Sequence, residues 1–260
     1  MVERRFKDDA FPVVVAHRGA SSTHPENTLA SFEAALALGA PVVEMDVRLS
    51  ADGVPVVVHD PDVSRTTDGA GGVHELTLAE IERLNAGTSA DPQRVPTLAE
   101  VLAAVSGRAG VALEIKNIPG EPAYEEDRES IVEAALREVD GTGFEGEVLV
   151  LSFNPRSIAE ARRLAPEVAT GLLILDAMPP GDALAHAVEM GHEFVLPGSR
   201  GLIATGREFV DRAHEAGVRV GTWTVDEREE LRMLFGWGVD AVASNDPATA
   251  LAVLAEMRGA

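Results

Sequence analysis

The sequence predicts an α/β protein, a TIM-type (β/α)8 barrel with a small insertion after the second strand. Three observations carry this reading. Apolar, strand-like runs alternate with helical patterns along nearly the whole chain, and such alternation implies parallel strands joined by helical crossovers. Eight strand–helix units are counted once the run Val54–His59 is set apart. Charged side chains emerge at the ends of several apolar runs, where a barrel gathers its functional groups.

The elements follow in order. Val13-Val14-Val15-Ala16 forms the first strand and leads into His17-Arg18-Gly19. Pro25-Glu26-Asn27-Thr28 opens an amphipathic helix to about Leu38, ended by Gly39. The second strand runs from Pro41 to Val47. Later strands are expected near Val111–Ile115, Val148–Phe153, Thr170–Leu175, Glu193–Leu196, Val218–Val225 and Asp240–Ala243. Helical patterns fall near Thr97–Val105, Tyr124–Glu138, Pro155–Leu164, Gly181–Glu189, Gly206–Ala216, Asp226–Phe235 and Pro247–Met257. The acidic run Glu125-Glu126-Asp127 suits a helix start, where the dipole favours negative charge.

Val54–His59 is set apart for a geometric reason. Only Arg48 to Gly53 separate it from the second strand, too few residues for a parallel crossover. Asp52-Gly53 is instead a hairpin turn signal. A hairpin centred there returns His59 to a position opposite about Asp46, at the functional end of the barrel. The segment from Asp60 to about Pro96 then breaks the βα repeat. Its length for a connection suggests a small cap over the site, and no linker divides residues 1–260 into separate domains.

Composition narrows the function classes. A hydrophobic content of 45% is ample for a core, and no apolar run reaches membrane-spanning length. The N-terminal run Met1 to Asp9 is charged and lacks the apolar stretch of a signal peptide. The absence of cysteine excludes disulfides and thiolate metal sites and is compatible with the cytoplasm, the expected location. A net charge of −21 argues against nucleic-acid partners and against a stable anchor on anionic membranes. An anionic substrate is still possible where local cations or a metal reverse the field. The only lysines are Lys7, in the N-terminal run, and Lys116, at an expected strand end.

The strand ends carry a recognisable constellation. His17-Arg18-Gly19, Pro25-Glu26-Asn27-Thr28, Glu44-Met45-Asp46-Val47 and Asp52-Gly53 through His59-Asp60 come first. Arg65 to Gly69, Leu113-Glu114-Ile115-Lys116, Ser152-Phe153 and Trp223-Thr224-Val225 follow. In this order the segments resemble the glycerophosphodiester phosphodiesterase family, from about Pro12 to Pro247. The resemblance implies a TIM-type barrel and metal-dependent hydrolysis of a small glycerophosphodiester to sn-glycerol 3-phosphate and an alcohol. It also implies a route in which a glycerol hydroxyl attacks phosphorus and water then opens the cyclic phosphate. Departures are small: Ser50 where threonine is frequent, Asp226 for asparagine, and Asn245 for aspartate. They bear on substrate contacts or helix capping.

The residues themselves agree with the resemblance. Glu44, Asp46 and Glu114 are hard oxygen ligands that suit Mg²⁺ or Ca²⁺, with Mn²⁺ also possible. His17 and His59 read as a general acid–base pair, with His17 as base and His59 as acid. Arg18 and Lys116 are natural phosphate partners, and Trp223 offers an apolar wall for the glycerol carbons. His24 and His74 are expected near the site rim or entrance, and His186, His192 and His214 on the surface. Rival readings are a relative that cleaves lysophospholipids or stops at the cyclic phosphate, and a catalytically silent binding module on the same barrel. A metal-dependent lyase or isomerase is a third, from fold alone.

Overall fold

The computed structural model describes residues 12–175 and 178–259; Lys7 and the rest of the charged N-terminal run lie outside them. The strands are β1 (Val13–Ala16), β2 (Val42–Leu49), β3 (Pro55–Val57), β4 (Gly110–Ile115), β5 (Val148–Ser152), β6 (Ala169–Ile174), β7 (Phe194–Pro197), β8 (Arg219–Thr222) and β9 (Ala241–Ser244). All but β3 are parallel and run in the order β1-β9-β8-β7-β6-β5-β4-β2, and pairing of β1 with β2 closes the ring. The helices are α1 (Leu29–Ala37), α2 (Leu78–Ile81), α3 (Leu98–Val105), α4 (Ser130–Gly141) and α5 (Pro155–Leu164). They continue as α6 (Pro180–Met190), α7 (Ser199–Thr205), α8 (Arg207–Glu215), α9 (Arg228–Gly236) and α10 (Pro247–Gly259). The predicted eight-stranded barrel is therefore present. No helix among the described residues is long and apolar enough to cross a membrane.

Barrel strands are buried on both faces, which explains their nearly unbroken apolar sequences. Outward residues such as Val43, Met45, Val111 and Val150 pack under the helices. Inward residues fill the barrel with Val13, Val15, Val42, Ala112, Leu149, Leu151, Leu173, Phe194 and Leu196. Two-residue alternation carries each inward row on toward the mouth. On β1, β2 and β4 the rows end in His17, in Glu44 and Asp46, and in Glu114 and Lys116. On β5 and β8 they end in Phe153 and Trp223, which pack against the inner cluster. One half of the mouth is charged and the other apolar.

Local departures from the expected elements have physical causes. β3 pairs antiparallel with β2, but Val47 faces Val57 and Arg48 faces Val56. The next residue inward, Asp46, accepts from the Val58 N–H at 3.0 Å, so Val58 rather than His59 stands opposite it. The shift of one arises because the hairpin loop has three residues, Ala51 to Gly53, closed by Ser50 N–H to Val54 O at 3.0 Å. Gly53 takes φ +77, the left-handed residue such loops require. α4 begins at Ser130, so Glu125-Glu126-Asp127 precede it in the loop instead of starting it. A short helix, α7, precedes the expected α8.

The segment from residue 60 to residue 96 is compact. It contains two 3₁₀ turns (Val63–Arg65 and Val73–Glu75) and α2, with Thr77 and Glu80 forming a capping box. Val63, Val73, Ile81, Ala86 and Val95 bury themselves against Val56 and Val58 of the hairpin. This small cluster packs the segment against the strand that leads to His59.

Candidate active site

Parallel register builds the charged half of the mouth. Asp46 on β2 lies beside Glu114 on β4, and Glu44 lies two residues before Asp46 on the same face. One oxygen from each of the three carboxylates lies within 4.8 Å of the others, and all three residues are buried. Two cations compensate them. Arg18 Nε is 3.1 Å from Asp46 Oδ2, and Lys116 Nζ is 2.8 Å from Asp46 Oδ1. Lys116 also pairs with Glu114. Asn27 Nδ2 donates to Asp46 Oδ2 at 2.8 Å.

The charges are unevenly shared. Burial pushes the Glu44 carboxyl up to about 8, and the neighbouring Asp46 adds to the shift. Burial likewise raises Glu114 to about 7, against the pull of Lys116. Burial alone would raise Asp46 too, but Lys116 and Arg18 hold it well below the usual carboxylate range. One carboxylate is thus firmly ionised and two resist ionisation. Glu44 Oε1 is buried and has no hydrogen-bond partner. Three hard oxygen donors, one of them orphaned, fit a divalent cation.

These shifts give a stability prediction for the protein in chelator. A carboxyl raised above its unfolded value keeps its proton in the folded state while the unfolded chain has lost it, so stability falls as pH rises toward the folded value. His17 and His59 are both lowered by burial, so their opposing contribution ends near pH 6.5. Between about pH 6.5 and 8 the metal-free protein therefore loses stability, with a slope of at most ~1.4 kcal/mol per pH unit per proton. Urea unfolding across this range should show the slope in the wild type and a flatter one in Glu44→Gln. Equal slopes would contradict the assignment.

A left-handed turn aims the residues after β1. Arg18 has φ +57, and its main-chain N–H donates to Glu44 Oε2 at 2.9 Å while its side chain reaches Asp46. Such a conformation costs a non-glycine residue of order 1 kcal/mol or more, and the carboxylate contacts offset it. Gly19 follows at φ +82, where a Cβ would lie 2.6 Å from the Ser31 carbonyl carbon. Only glycine permits that approach to α1.

The two histidines have different supports. His17 Nδ1 lies 2.8 Å from Asn245 Oδ1, and its Nε2 is 3.9 Å from Glu44 Oε2. Asn245 Nδ2 donates to Asp226 Oδ2 at 2.8 Å, which turns the amide oxygen toward His17. An amide oxygen only accepts, so His17 carries its proton on Nδ1 and leaves Nε2 as a base. His59 Nδ1 lies 2.5 Å from Asp60 Oδ1. Asp60 pairs with Arg65, Arg65 with Glu26 at 2.7 Å, and Glu26 with Arg18 at 2.9 Å. This row of alternating charges ends on Asp46.

His17, Arg18, Glu44, His59, Glu114, Lys116 and Trp223 all line one cavity of about 300 Å³. Asp46, 0% exposed, stands directly behind its wall. Trp223 donates from Nε1 to Leu196 O at 2.9 Å and meets Phe153 edge-on, with centroids 5.4 Å apart. Leu151, Leu173 and Leu196 complete the apolar wall. The predicted site residues therefore converge. Sequence reasoning passed over Glu26, Asp60, Arg65, Asp226 and Asn245 as site members, although each lay in or beside a motif. His74 lines a second cavity, beside Arg48, that shares Lys116 with the first. His192 is not on the surface: it is buried between α6 and β7, its Nδ1 2.8 Å from Thr170 Oγ1.

Known proteins resemble this chain in sequence and fold. Residues 17–249 match the model of the Glycerophosphoryl diester phosphodiesterase family. A glycerophosphodiester phosphodiesterase of Caldanaerobacter subterraneus is 36% identical over 247 residues, covering 91% of this chain and 95% of its own. A solved phosphodiesterase of Oleispira antarctica, in complex with the product sn-glycerol-3-phosphate, superposes with a TM-score of 0.85 at 30% identity. That likeness covers 95% of this chain and 98% of the other. A solved structure from Silicibacter pomeroyi gives a TM-score of 0.84 at 30% identity, covering 98% and 96%. The chain belongs to the glycerophosphoryl diester phosphodiesterase family.

Proposed function

We propose that this phosphoric diester hydrolase cleaves glycerophosphodiesters to sn-glycerol 3-phosphate and an alcohol, with His17 and His59 moving the protons. The observation that carries the proposal is that both histidines open on the same cavity as Glu44 and Glu114, with Asp46 clustered behind them, opposite an apolar wall. The product held by the Oleispira antarctica relative supports the substrate class. We read residues 1–260 as one barrel domain in which the segment at about 60–96 caps the mouth.

Glu44, Asp46 and Glu114 would hold the divalent ion, Mg²⁺ or Ca²⁺ or Mn²⁺. When bound, the ion supplies positive charge that offsets the charge gathering on the phosphoryl oxygens. Arg18 and Lys116 hold the phosphate beside it. Both cations are paired with carboxylates in the chain alone, which keeps them charged and fixed in place. His17 Nε2 takes the proton of a glycerol hydroxyl, whose oxygen attacks phosphorus. The bond from phosphorus to the headgroup oxygen breaks as His59 delivers a proton to that oxygen. Water then opens the cyclic phosphate, giving its proton to His59 while His17 returns one to the glycerol oxygen. Trp223 and Phe153 face the glycerol carbons.

His17→Ala and His59→Ala should each lower kcat by about 10²–10⁴-fold with an unchanged circular-dichroism spectrum. The wild-type pH profile should be bell-shaped. Near wild-type turnover in either variant would make that histidine structural. The cyclic-phosphate-forming alternative is separated by phosphorus NMR, where an accumulating cyclic product would show that hydrolysis stops after the first step.

A further inference from the structure

Asp60 holds the His59 ring, but the His59 main chain is fastened by a residue with no place in the mechanism above. The last ladder bond of the hairpin is made by Val58 N–H, and His59 already lies beyond it. Its carbonyl oxygen accepts from Arg48 Nε at 2.8 Å. Arg48 sits on β2 two residues past Asp46 and is buried, with its side chain 5% exposed. The rest of its fork is taken by Glu121, with Arg48 Nη1 to Oε2 at 2.6 Å and Nη2 to Oε1 at 3.2 Å. Glu121 belongs to the loop between β4 and α4 that begins at Lys116. A single guanidinium therefore ties the hairpin that carries His59 to the loop that follows Lys116.

We infer that Arg48 is a positioning residue for His59, and that Glu121 sets its orientation. The geometry is demanding. A bidentate carboxylate fixes the guanidinium plane, and only in that plane does the third donor point at the His59 carbonyl. A lysine at this position would keep the charge and lose the fork. The Arg48 side chain is buried where Arg65, which holds Asp60 and through it the ring, is 46% exposed, so water competes less for its donors. Two independent contacts, one on the main chain and one on the ring, then define where the histidine stands.

The inference rests on His59 being the acid of the first step, and the test separates the two claims. The variants are Glu121→Gln, which is conservative and lies in a loop, and Arg48→Lys. The measurement is single-turnover release of the alcohol from two substrates, sn-glycero-3-phosphoethanolamine and sn-glycero-3-phospho-p-nitrophenol. The first leaving oxygen needs a proton and the second does not. Both variants should slow ethanolamine release by about tenfold to a hundredfold, leave its half-saturation concentration nearly unchanged, and release nitrophenol at close to the wild-type rate. The double variant should be no slower than the slower single one, because both act through the same contact. Equal losses on the two substrates, or no loss on either, would overturn the inference. His59→Ala serves as the control. If it shows the leaving-group split and Glu121→Gln and Arg48→Lys do not, positioning by Arg48 is wrong. If it loses both substrates equally, the acid role of His59 falls, and the inference falls with it.

Discussion

Chelation of divalent ions should abolish turnover, and Glu44→Gln should show the same loss after the ions are restored. Burial and the Asp46 charge push Glu44 up to about 8 in the chain alone, so near neutrality the carboxylate trio is incompletely ionised. A divalent ion would remove that conflict, because the negative charges would then face a larger positive one. It would also give Glu44 Oε1 the partner it lacks. Losing the ion would remove several kcal/mol of transition-state stabilisation, and about 4 kcal/mol corresponds to roughly 10³-fold in rate. The assay is hydrolysis of a glycerophosphodiester after chelation, with Mg²⁺, Ca²⁺ and Mn²⁺ added back separately. Thermal unfolding supplies a second readout: adding the effective ion should raise Tm in the wild type and much less in Glu44→Gln. Full turnover after exhaustive chelation would remove the metal from the reaction.

The barrel and most of its mouth were legible in the sequence because both depend on periodicity. Eight apolar runs separated by helical patterns admit few arrangements, and the two-residue alternation on a strand determines which side chains enter the barrel. That is why the sequence alone pairs Glu44 with Asp46 and Glu114 with Lys116. The hairpin register was harder. A two-residue turn at Asp52-Gly53 and the observed three-residue loop differ by one position, and that difference decides whether His59 or Val58 faces Asp46. Periodicity does not distinguish them.

Supports assembled from distant loops were less legible still. Arg65 and Glu26 are 39 positions apart, His17 and Asn245 are 228 apart, and no local pattern links either pair. Asn245 and Asp226 stood out only as departures bearing on substrate contacts or helix capping. In the structure they are the acceptor for His17 Nδ1 and the carboxylate that orients it. Burial has the same character. His192 carries no sequence mark that separates it from an exposed histidine, and its environment is created by Thr170 and by the packing of α6 over β6 and β7.

A glycerophosphodiester lacking the hydroxyl next to the ester should turn over very poorly while still binding. If that hydroxyl is the first nucleophile, the attack is intramolecular, and well-oriented intramolecular reactions reach effective concentrations of ~10⁵–10⁸ M. The 2-deoxy analogue forfeits that advantage. Water would then have to enter a cavity of about 300 Å³ whose far wall is apolar, with Leu151, Leu173, Leu196, Phe153 and Trp223 offering it no side-chain hydrogen-bond acceptor. Binding should suffer less, because Arg18, Lys116 and an ion held by the carboxylates would act on the phosphate and not on the missing hydroxyl. The comparison is kcat for the natural and deoxy substrates, with competitive inhibition by the deoxy compound as the measure of binding. A kcat lower by at least about 10³-fold, with an inhibition constant near the natural KM, is expected if the chemical step limits turnover. Comparable kcat values would mean that water attacks phosphorus directly. His17, whose Nε2 is left as the base by its bond to Asn245, would then have to activate water from the start, and no cyclic phosphate would form.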